Sequence, residues 1–466
     1  MSQLTLSSLD SSLIEEISSK RNEPNWLKEY RKNSLSVYHD LPAEVSPLYN
    51  KYTDARRMNP DQVSLSTSSD SSVPDFLTKR LDEIKNEISI VQIGSNIHSI
   101  NINDELKSKG LVISSLDDAL QNYSELIQKT LENSNSKEDK YTALNNAAFN
   151  SGIFVYIPQN LNIDKPIHLL SCLSLDGIST ISRNMIIVEK NTQASVVQEL
   201  YAPKTSKQQA YLELLNTRVD ENSKLDFTAL QIMDQSAVNF STRITHLAQD
   251  AKINSYLGLF GSMLSRYRIE YDLNGIGSTV NDAEVIFGNN DQSFDLNTIV
   301  NHNAQSTEGK VVEKSILKDT SKSLFKGMIR INEQAARSNS FLSGRSILLS
   351  KGAKSDAIPG LEILTNDVKA THSASVAQLD DEQIFYLGTR CLSHSEAERI
   401  IVEGFLEPLS RTMSHQVRAW ISNIIESKWA NKELTINMDE HLKAIVEVEE
   451  TRYNENEEVE QHYKYR

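Results

Sequence analysis

Cysteine is almost absent: Cys172 and Cys391 are the only two in 466 residues. Two cysteines cannot build a disulfide framework, so a reducing, cytoplasmic setting is expected. Glycine and proline are also few, at 16 and 10. The apolar share is low at 39%, and no run of eighteen apolar residues occurs, so no transmembrane helix is expected. Basic residues are outnumbered, 48 Lys and Arg against 63 Asp and Glu, for a net charge of −15. That balance argues against binding to nucleic acid or to an anionic membrane, since both need a basic surface. The opening MSQLTLSSLDSSLIEE carries acidic residues and no basic stretch before an apolar one, so it is not expected to be a secretory signal. Nucleotide and hydrolase signatures are missing as well. There is no Gly-x-x-x-x-Gly-Lys-Ser/Thr loop, no Gly-x-Ser-x-Gly and no His-Glu-x-x-His, so ATP hydrolysis by a phosphate-binding loop is not expected of this chain.

Abundant Ser and Asn, by contrast, suit many short strands joined by polar turns. Residues 1–150 read as a helical region. Pro24 sits at a first helical turn, and 76–88, 115–132 and 141–149 are further helices. A polar stretch near 60–74, within DQVSLSTSSDSSVPD, has the composition of a mobile linker. From Gly152 the hydrophobic period changes to that of strands, as in GIFVYIP, NMIIVEK, ASVVQEL, KLDFTALQIM and RYRIEYDL. Polar turns separate them, at Asn191–Ala194, Glu221–Lys224, Gln249–Lys252 and Asn274–Gly277, with further ones near Asp319, Glu333 and Lys351. Short strands in coil-like recurrence without helices predict a parallel β-helix over 151–378, with a β-sandwich as the alternative because the repeat is loose. Helices resume at 379–431, where Leu409, Met413, Val417, Trp420, Ile421 and Ile424 line one face. The acidic run 432–466 reads as a solvated tail.

The densest cluster of signals is Ile358–Phe405. A β-type half ends near Thr371-His372, and two helix starts follow. Asp380 with Gln383 and Ser393 with Glu396 each have capping-box spacing. A neutral imidazole at His372 suits a transition metal if a neighbouring acceptor fixes its tautomer. Structurally, a lone His among Thr and Ser is more often a hydrogen-bonded turn residue. Cys391 and His394 form a Cys-x-x-His that can chelate from one face, although the cap already accounts for that segment. Cys172 reads as a small buried hydrophobe.

In order and spacing, Pro359, Leu361-Glu362-Ile363, His372, Gln383-Ile384-Phe385-Tyr386, Arg390 and Ser393-His394-Ser395-Glu396-Ala397 resemble the shared core of the SufB/SufD family of iron–sulfur cluster assembly scaffolds. Glu23-Pro24-Asn25-Trp26 with Arg31, Gly152–Pro158, and Lys318-Asp319 with Ser323–Gly327 resemble other motifs of that family. The resemblance touches most of residues 10–425. It implies a right-handed β-helix core with helical ends, a non-catalytic scaffold role, and pairing with a SufB-like paralogue or with itself. It also implies docking of an ABC-type ATPase, SufC, on the C-terminal helices, for which Phe385, Tyr386, Arg390, Phe405 and Trp420 are the candidates. His372 matches a position implicated in cluster assembly at the subunit interface. The SufB branch carries a cysteine directly after the Phe-Tyr pair; Leu387 stands there, which places the chain with SufD. No stably bound cofactor is expected, only a transient iron–sulfur cluster shared at a subunit interface, since two cysteines cannot supply a Cys₄ set. The alternatives are a SufB-like homodimeric scaffold and a secreted-type β-helix carbohydrate-active protein.

Overall fold

Alternation of inward and outward side chains becomes, in the computed structural model, a two-sided parallel solenoid. The structure describes residues 5–42, 57–66, 70–133, 139–410, 413–430 and 434. Its strands are β1 Ser89–Ile93, β2 Asn96–Asn101, β3 Val112–Ser115, β4 Ile153–Ile157, β5 Ile167–Cys172, β6 Thr180–Val188 and β7 Gln193–Ala202. They continue as β8 Gln209–Val219, β9 Lys224–Met233, β10 Ala237–Leu247, β11 Lys252–Leu259, β12 Leu264–Leu273 and β13 Thr279–Gly288. The last six are β14 Ser293–His302, β15 Glu308–Leu317, β16 Lys322–Ile331, β17 Ser338–Leu348, β18 Lys354–Ile363 and β19 Val368–Gln378. From β4 onward each strand pairs in parallel with the strand two further on. One sheet therefore runs β19-β17-β15-β13-β11-β9-β7-β5-β1-β2 and the other β18-β16-β14-β12-β10-β8-β6-β4-β3. The chain winds about eight times, and the apolar lumen residues of both sheets form one continuous core.

The corners of the coil need left-handed backbone, and the sequence puts residues there that tolerate it. Asn160, Asn191, Asn222, Asp250, Gly277 and Ser306 all have φ between 53° and 74°, the region open to Gly and, through local side-chain hydrogen bonds, to Asn and Asp. Successive asparagines also hold the coils together. Asn222 donates to Asn191 at 2.9 Å and Asn191 to Asn160 at 3.2 Å, each step 31 residues. Ser262, Asn290 and Asp319 form a second left-handed corner, where the Asp319 carboxylate accepts from the Asn290 N–H 29 residues earlier. Two alternating corners explain why the later turns stand at half the spacing of the earlier ones.

Residues 1–150, read as helical, also contain β1, β2 and β3, which begin the two sheets. Their helices are α1 Ser11–Lys20, α2 Asn25–Asp40, α3 Thr78–Ile84, α4 Asp104–Ser108, α5 Leu116–Asn122, α6 Ser124–Asn133 and α7 Lys140–Ala148. Asp10 caps α1 through the Ser12 and Leu13 N–H groups. The Glu-Pro-Asn-Trp motif then has a structural reading. Glu23 takes both arms of the Arg31 guanidinium, at 2.7 and 2.8 Å. Arg31 in turn donates to the Ala147 carbonyl at 3.0 Å and lies 3.5 Å over the Phe149 ring. The polar stretch expected to be a mobile linker is instead packed wherever it is described. Val63 and Leu65 are buried, and Ser64 bridges to Thr5 and Ile178. Residues 67–69 lie outside the described residues.

The chain divides into two compact units, Met1–Pro74 with Ile84–Leu379, and Asp75–Glu83 with Asp380–Arg466. The second holds α8 Asp381–Gly388, α9 His394–Ser410 and α10 His415–Trp429. The apolar face read from Leu409 to Ile424 belongs to two helices: α9 runs on through Pro408, and α10 starts afresh from a Ser414 cap. Apart from Leu434, the acidic stretch 432–466 lies outside the described residues.

Candidate functional site

The solenoid ends on two strands with no following coil. Among the described residues β18 pairs only with β16, and β19 only with β17. Each leaves one row of backbone N–H and C=O groups unpaired along 10 or 11 residues. An open edge of this length is a template for another strand, and proteins normally shorten, charge or cover it. Here it also carries apolar groups into solvent, since Ile363, Leu364 and Val376 are exposed.

His372 lies on β19, and its orientation follows from register. It stands beside Leu342, Leu342 beside Val311, and Val311 beside Asp282. Val311 and Leu342 are fully buried core residues. In-register neighbours on a sheet share a face, so the imidazole leaves the backbone on the lumen side, exposed only because no further coil covers it. Among the described residues no acceptor holds its ring, and no group of three His, Cys, Asp or Glu is placed to hold a metal ion. His372 is thus a single open donor at the mouth of the lumen.

Behind that mouth the lumen is closed. A Cβ on Gly327 would lie 2.3 Å from Leu342, and one on Gly344 would lie 2.5 Å from Phe325. Each bulky side chain fills the space the opposite glycine leaves, so Phe325 and Leu342 form a roof one coil below His372. This accounts for Gly327 in the Ser-Leu-Phe-Lys-Gly motif: the backbone must admit a side chain from the facing sheet.

Beneath the roof the lumen carries polar groups that sequence reasoning missed. Glu213 accepts from Asn184 at 2.8 Å and Ser241 at 2.6 Å, and forms an ion pair with Arg243 at 3.3 Å. Arg243 also donates to Gln198 at 2.8 Å. Nearer the roof, Glu284 and Glu313 are in-register neighbours on β13 and β15. Thr298 donates to Glu284 at 2.5 Å and Ser315 donates to Glu313. One oxygen of each carboxyl has no partner. Burial pushes the Glu313 carboxyl up to about 8, and burial beside Asp282 pushes Glu284 well above the carboxylate range. The signal that would have found them is alternation: Asp282 and Glu284 share the face of Val280 and Ile286, which are core residues.

The other candidates lie in the helical unit. Cys391 is exposed, with φ 65° in the turn between α8 and α9. His394 opens α9, and its Nδ1 stands 3.5 Å from Glu398. The capping reading of this segment is borne out: the Ser393 N–H donates to Glu396 at 2.8 Å, and the Glu396 N–H returns to Ser393 Oγ at 3.3 Å. Asp380 caps α8 through the Glu382 N–H. Phe385 and Tyr386 are 75% and 58% exposed, and Arg390 donates to the Tyr386 hydroxyl at 3.2 Å while lying over its ring. Phe405 is half-buried. Trp420 departs from expectation. It is 1% exposed, with the Arg80 guanidinium 5.3 Å over its ring, so it belongs to the interior of the helical unit and offers no surface. Cys172 is buried, and burial pushes its thiol up, as expected of a structural cysteine.

Residues 173–405 match the family described as SUF system FeS cluster assembly, SufBD core domain. Residues 21–169 match the SufBD protein N-terminal region. Among curated proteins, the chain is 27% identical over 429 residues to the iron–sulfur cluster assembly protein SufD of Bacillus subtilis, covering 90% of this chain and 98% of the relative. It is 25% identical over 434 residues to an iron–sulfur cluster assembly SufBD family protein of Staphylococcus aureus strain USA300, covering 90% and 92%.

Proposed function

The chain belongs to the SufBD family of iron–sulfur cluster assembly proteins, and on that premise we propose that it is the SufD-like, non-catalytic scaffold subunit of a SUF assembly complex. The observation that carries this reading is the solenoid's last coil: two unpaired strand edges, β18 and β19, with His372 on the lumen face between them and the solvent. A SufB-like paralogue adds its own strands to these edges, through main-chain hydrogen bonds across the interface. His372 then offers one neutral nitrogen toward iron delivered there, and the partner supplies the thiolates. The cysteine of the solenoid, Cys172, is buried, and on α8 Leu387 stands at the position of the SufB-branch cysteine. The cluster is cargo, built at the interface and passed on.

The SufC ATPase docks on the helical unit. Phe385, Tyr386 and Ile400 are exposed apolar side chains there, of the kind helix-in-groove recognition uses. ATP-driven closure of two SufC copies twists the scaffold and exposes the cluster-forming edge. A gentle anaerobic pull-down of the tagged full-length chain from its own host tests the partners. Recovery of an ABC ATPase with a cysteine-bearing paralogue is expected. An ATPase alone points to a homodimeric scaffold, and neither partner removes support for the assembly role.

His372→Ala tests the site. The imidazole has no partner to lose, so folding and complex formation should be unchanged. Cluster yield should fall about tenfold or more, the scale on which metal sites respond to loss of a contributing group. Chemical reconstitution followed by iron and sulfide analysis reads it. Equal yields from the two proteins reject the ligand role while leaving the scaffold reading intact.

A further inference from the structure

We infer that Glu284 and Glu313 form a proton-operated latch on the last coils of the solenoid: while the pair keeps its proton the Phe325–Leu342 roof stays shut, and ionisation admits water and loosens β17 and β19. The inference rests on the placement of the pair and is independent of the scaffold reading.

The two carboxyls stand side by side on adjacent strands, each fully buried and each with one oxygen unsatisfied. Two like charges a strand apart in a dry lumen repel, so at least one must hold a proton or find a cation. Among the described residues, the neighbours supply no cation. On β13 the closest titratable group is Asp282, a third acid. β14 and β15 contribute the hydroxyls of Thr298 and Ser315, and β17 contributes the Arg345 backbone N–H and the side-chain-free Gly344. Lys314 and Arg345 adjoin in sequence, but alternation carries their side chains to the opposite face. On β12 stands Tyr271, whose phenol burial pushes up. Arg243 on β10 is engaged by Glu213 and Gln198. His302 on β14 is held neutral by burial, its pKa lowered to about 4. Protonation is the remaining way to neutralise the pair, and water is the remaining way to solvate it once charged.

The geometry says where that water enters. Glu313 stands in register with Gly344, and Gly344 with Ala374 of the exposed edge strand. A Cβ at Gly344 would lie 3.5 Å from Glu313 Oε2 and 2.5 Å from Phe325. The roof is therefore one side chain thick at this point. On the opposite side the carboxyls face further coils of packed core. Opening follows the thinner path, through β16–β19, and so reaches the strand that carries His372.

The sign of the pH dependence is fixed. In the closed coil the Glu313 carboxyl titrates near pH 8, whereas in the opened, solvated coil it returns to the ordinary glutamate value of about 4.3. The closed form thus binds more protons between these limits. Its protection is complete below the lower one, is lost as pH rises, and levels off above the upper one. One proton corresponds to about a tenfold change per pH unit.

Hydrogen–deuterium exchange of the full chain, read by mass spectrometry at several pH values from 5.5 to 9 and corrected for intrinsic exchange, tests this. Peptides of β17 and β19 should lose protection about tenfold per pH unit up to about pH 8, with those of β6–β10 flat. Glu313→Gln, which keeps the shape without the titration, should lower the slope in β17 and β19, and adding Glu284→Gln, whose own carboxyl burial and Asp282 hold above its ordinary value, should lower it further. Glu284→Gln provides the same reading if the first variant does not fold. A pH-independent β17 and β19, a slope shared equally by all coils, or a slope that is undiminished in the variants overturns the latch.

Discussion

Glu23→Ala should destabilise the chain by about 3–5 kcal/mol, the cost of leaving a buried charge without its partner. The Arg31 guanidinium that remains is buried, with the Phe149 ring on one face, and keeps the Ala147 carbonyl as a neutral acceptor in place of its bidentate carboxylate. Burial by itself would raise the Glu23 carboxyl, yet Arg31 and its hydrogen bonds outweigh that and hold it below the carboxylate range. The pair is therefore ionised in the fold, and the loss is electrostatic as well as steric. Urea denaturation followed by circular dichroism measures it. A double variant, Glu23→Leu with Arg31→Met, should be less damaged than Glu23→Ala alone, because removing both charges removes the unpaired one. A Glu23→Ala protein as stable as the parent would mean that Arg31 reaches water, and would undo the assignment of the motif to the packing of α2 against α7.

How much of this was legible in the sequence depends on which way the polar residues face. Strands β9 and β12 were readable because apolar residues alternate along them, and β4 because it is an unbroken apolar run, each bracketed by turn residues. β10 escaped because its lumen face is Asn239, Ser241 and Arg243, while its outer face carries Val238 and Phe240 under the N-terminal helices. A strand with polar groups inside and apolar groups outside defeats a rule that assigns polar residues to solvent. β1, β2 and β3 were missed for another reason. They are short, they lie among helices, and only pairing with β5 and β4 identifies them as the start of the sheets.

The candidate site was legible in composition and not in direction. The capped helix starts could be read from spacing because caps are local, set by hydrogen bonds over three residues. That His372 faces the lumen depends on the register of β19 against β17, a contact about 30 residues away, which no window of sequence contains. The same limit misplaced Trp420. Its helical spacing marked an apolar face, and only the fold shows that this face turns inward beneath Arg80. The buried acids Glu284 and Glu313 could have been suspected from their alternation with core residues, although nothing local shows that they are neighbours.

Gly152→Ala should cost about 3 kcal/mol or more, at the upper end of overpacking penalties, because the added carbon has nowhere to go. It would stand 2.2 Å from the Arg183 carbonyl oxygen and 2.9 Å from Leu116 Cβ. The first is backbone in the sheet and cannot swing aside. Retreat is blocked as well: the Gly152 carbonyl accepts from the Leu116 N–H at 2.9 Å, and on either side Ser151 O and the Ile153 N–H bond to Arg183 N and Asn184 Oδ1. Relief requires β4 to move off β6, which opens the first coil where the N-terminal helices meet the solenoid. The same methyl added by Gly404→Ala, in the exposed middle of α9, meets nothing within 4 Å and should gain about 0.5–1 kcal/mol from helix propensity. Paired urea titrations of the two variants separate contact from propensity, since both make one identical chemical change. If Gly152→Ala proved as benign as Gly404→Ala, β4 could not lie against β6 in this register. The first turn of the solenoid, and with it the lumen-facing assignments that propagate from coil to coil as far as His372, would then have to be redrawn.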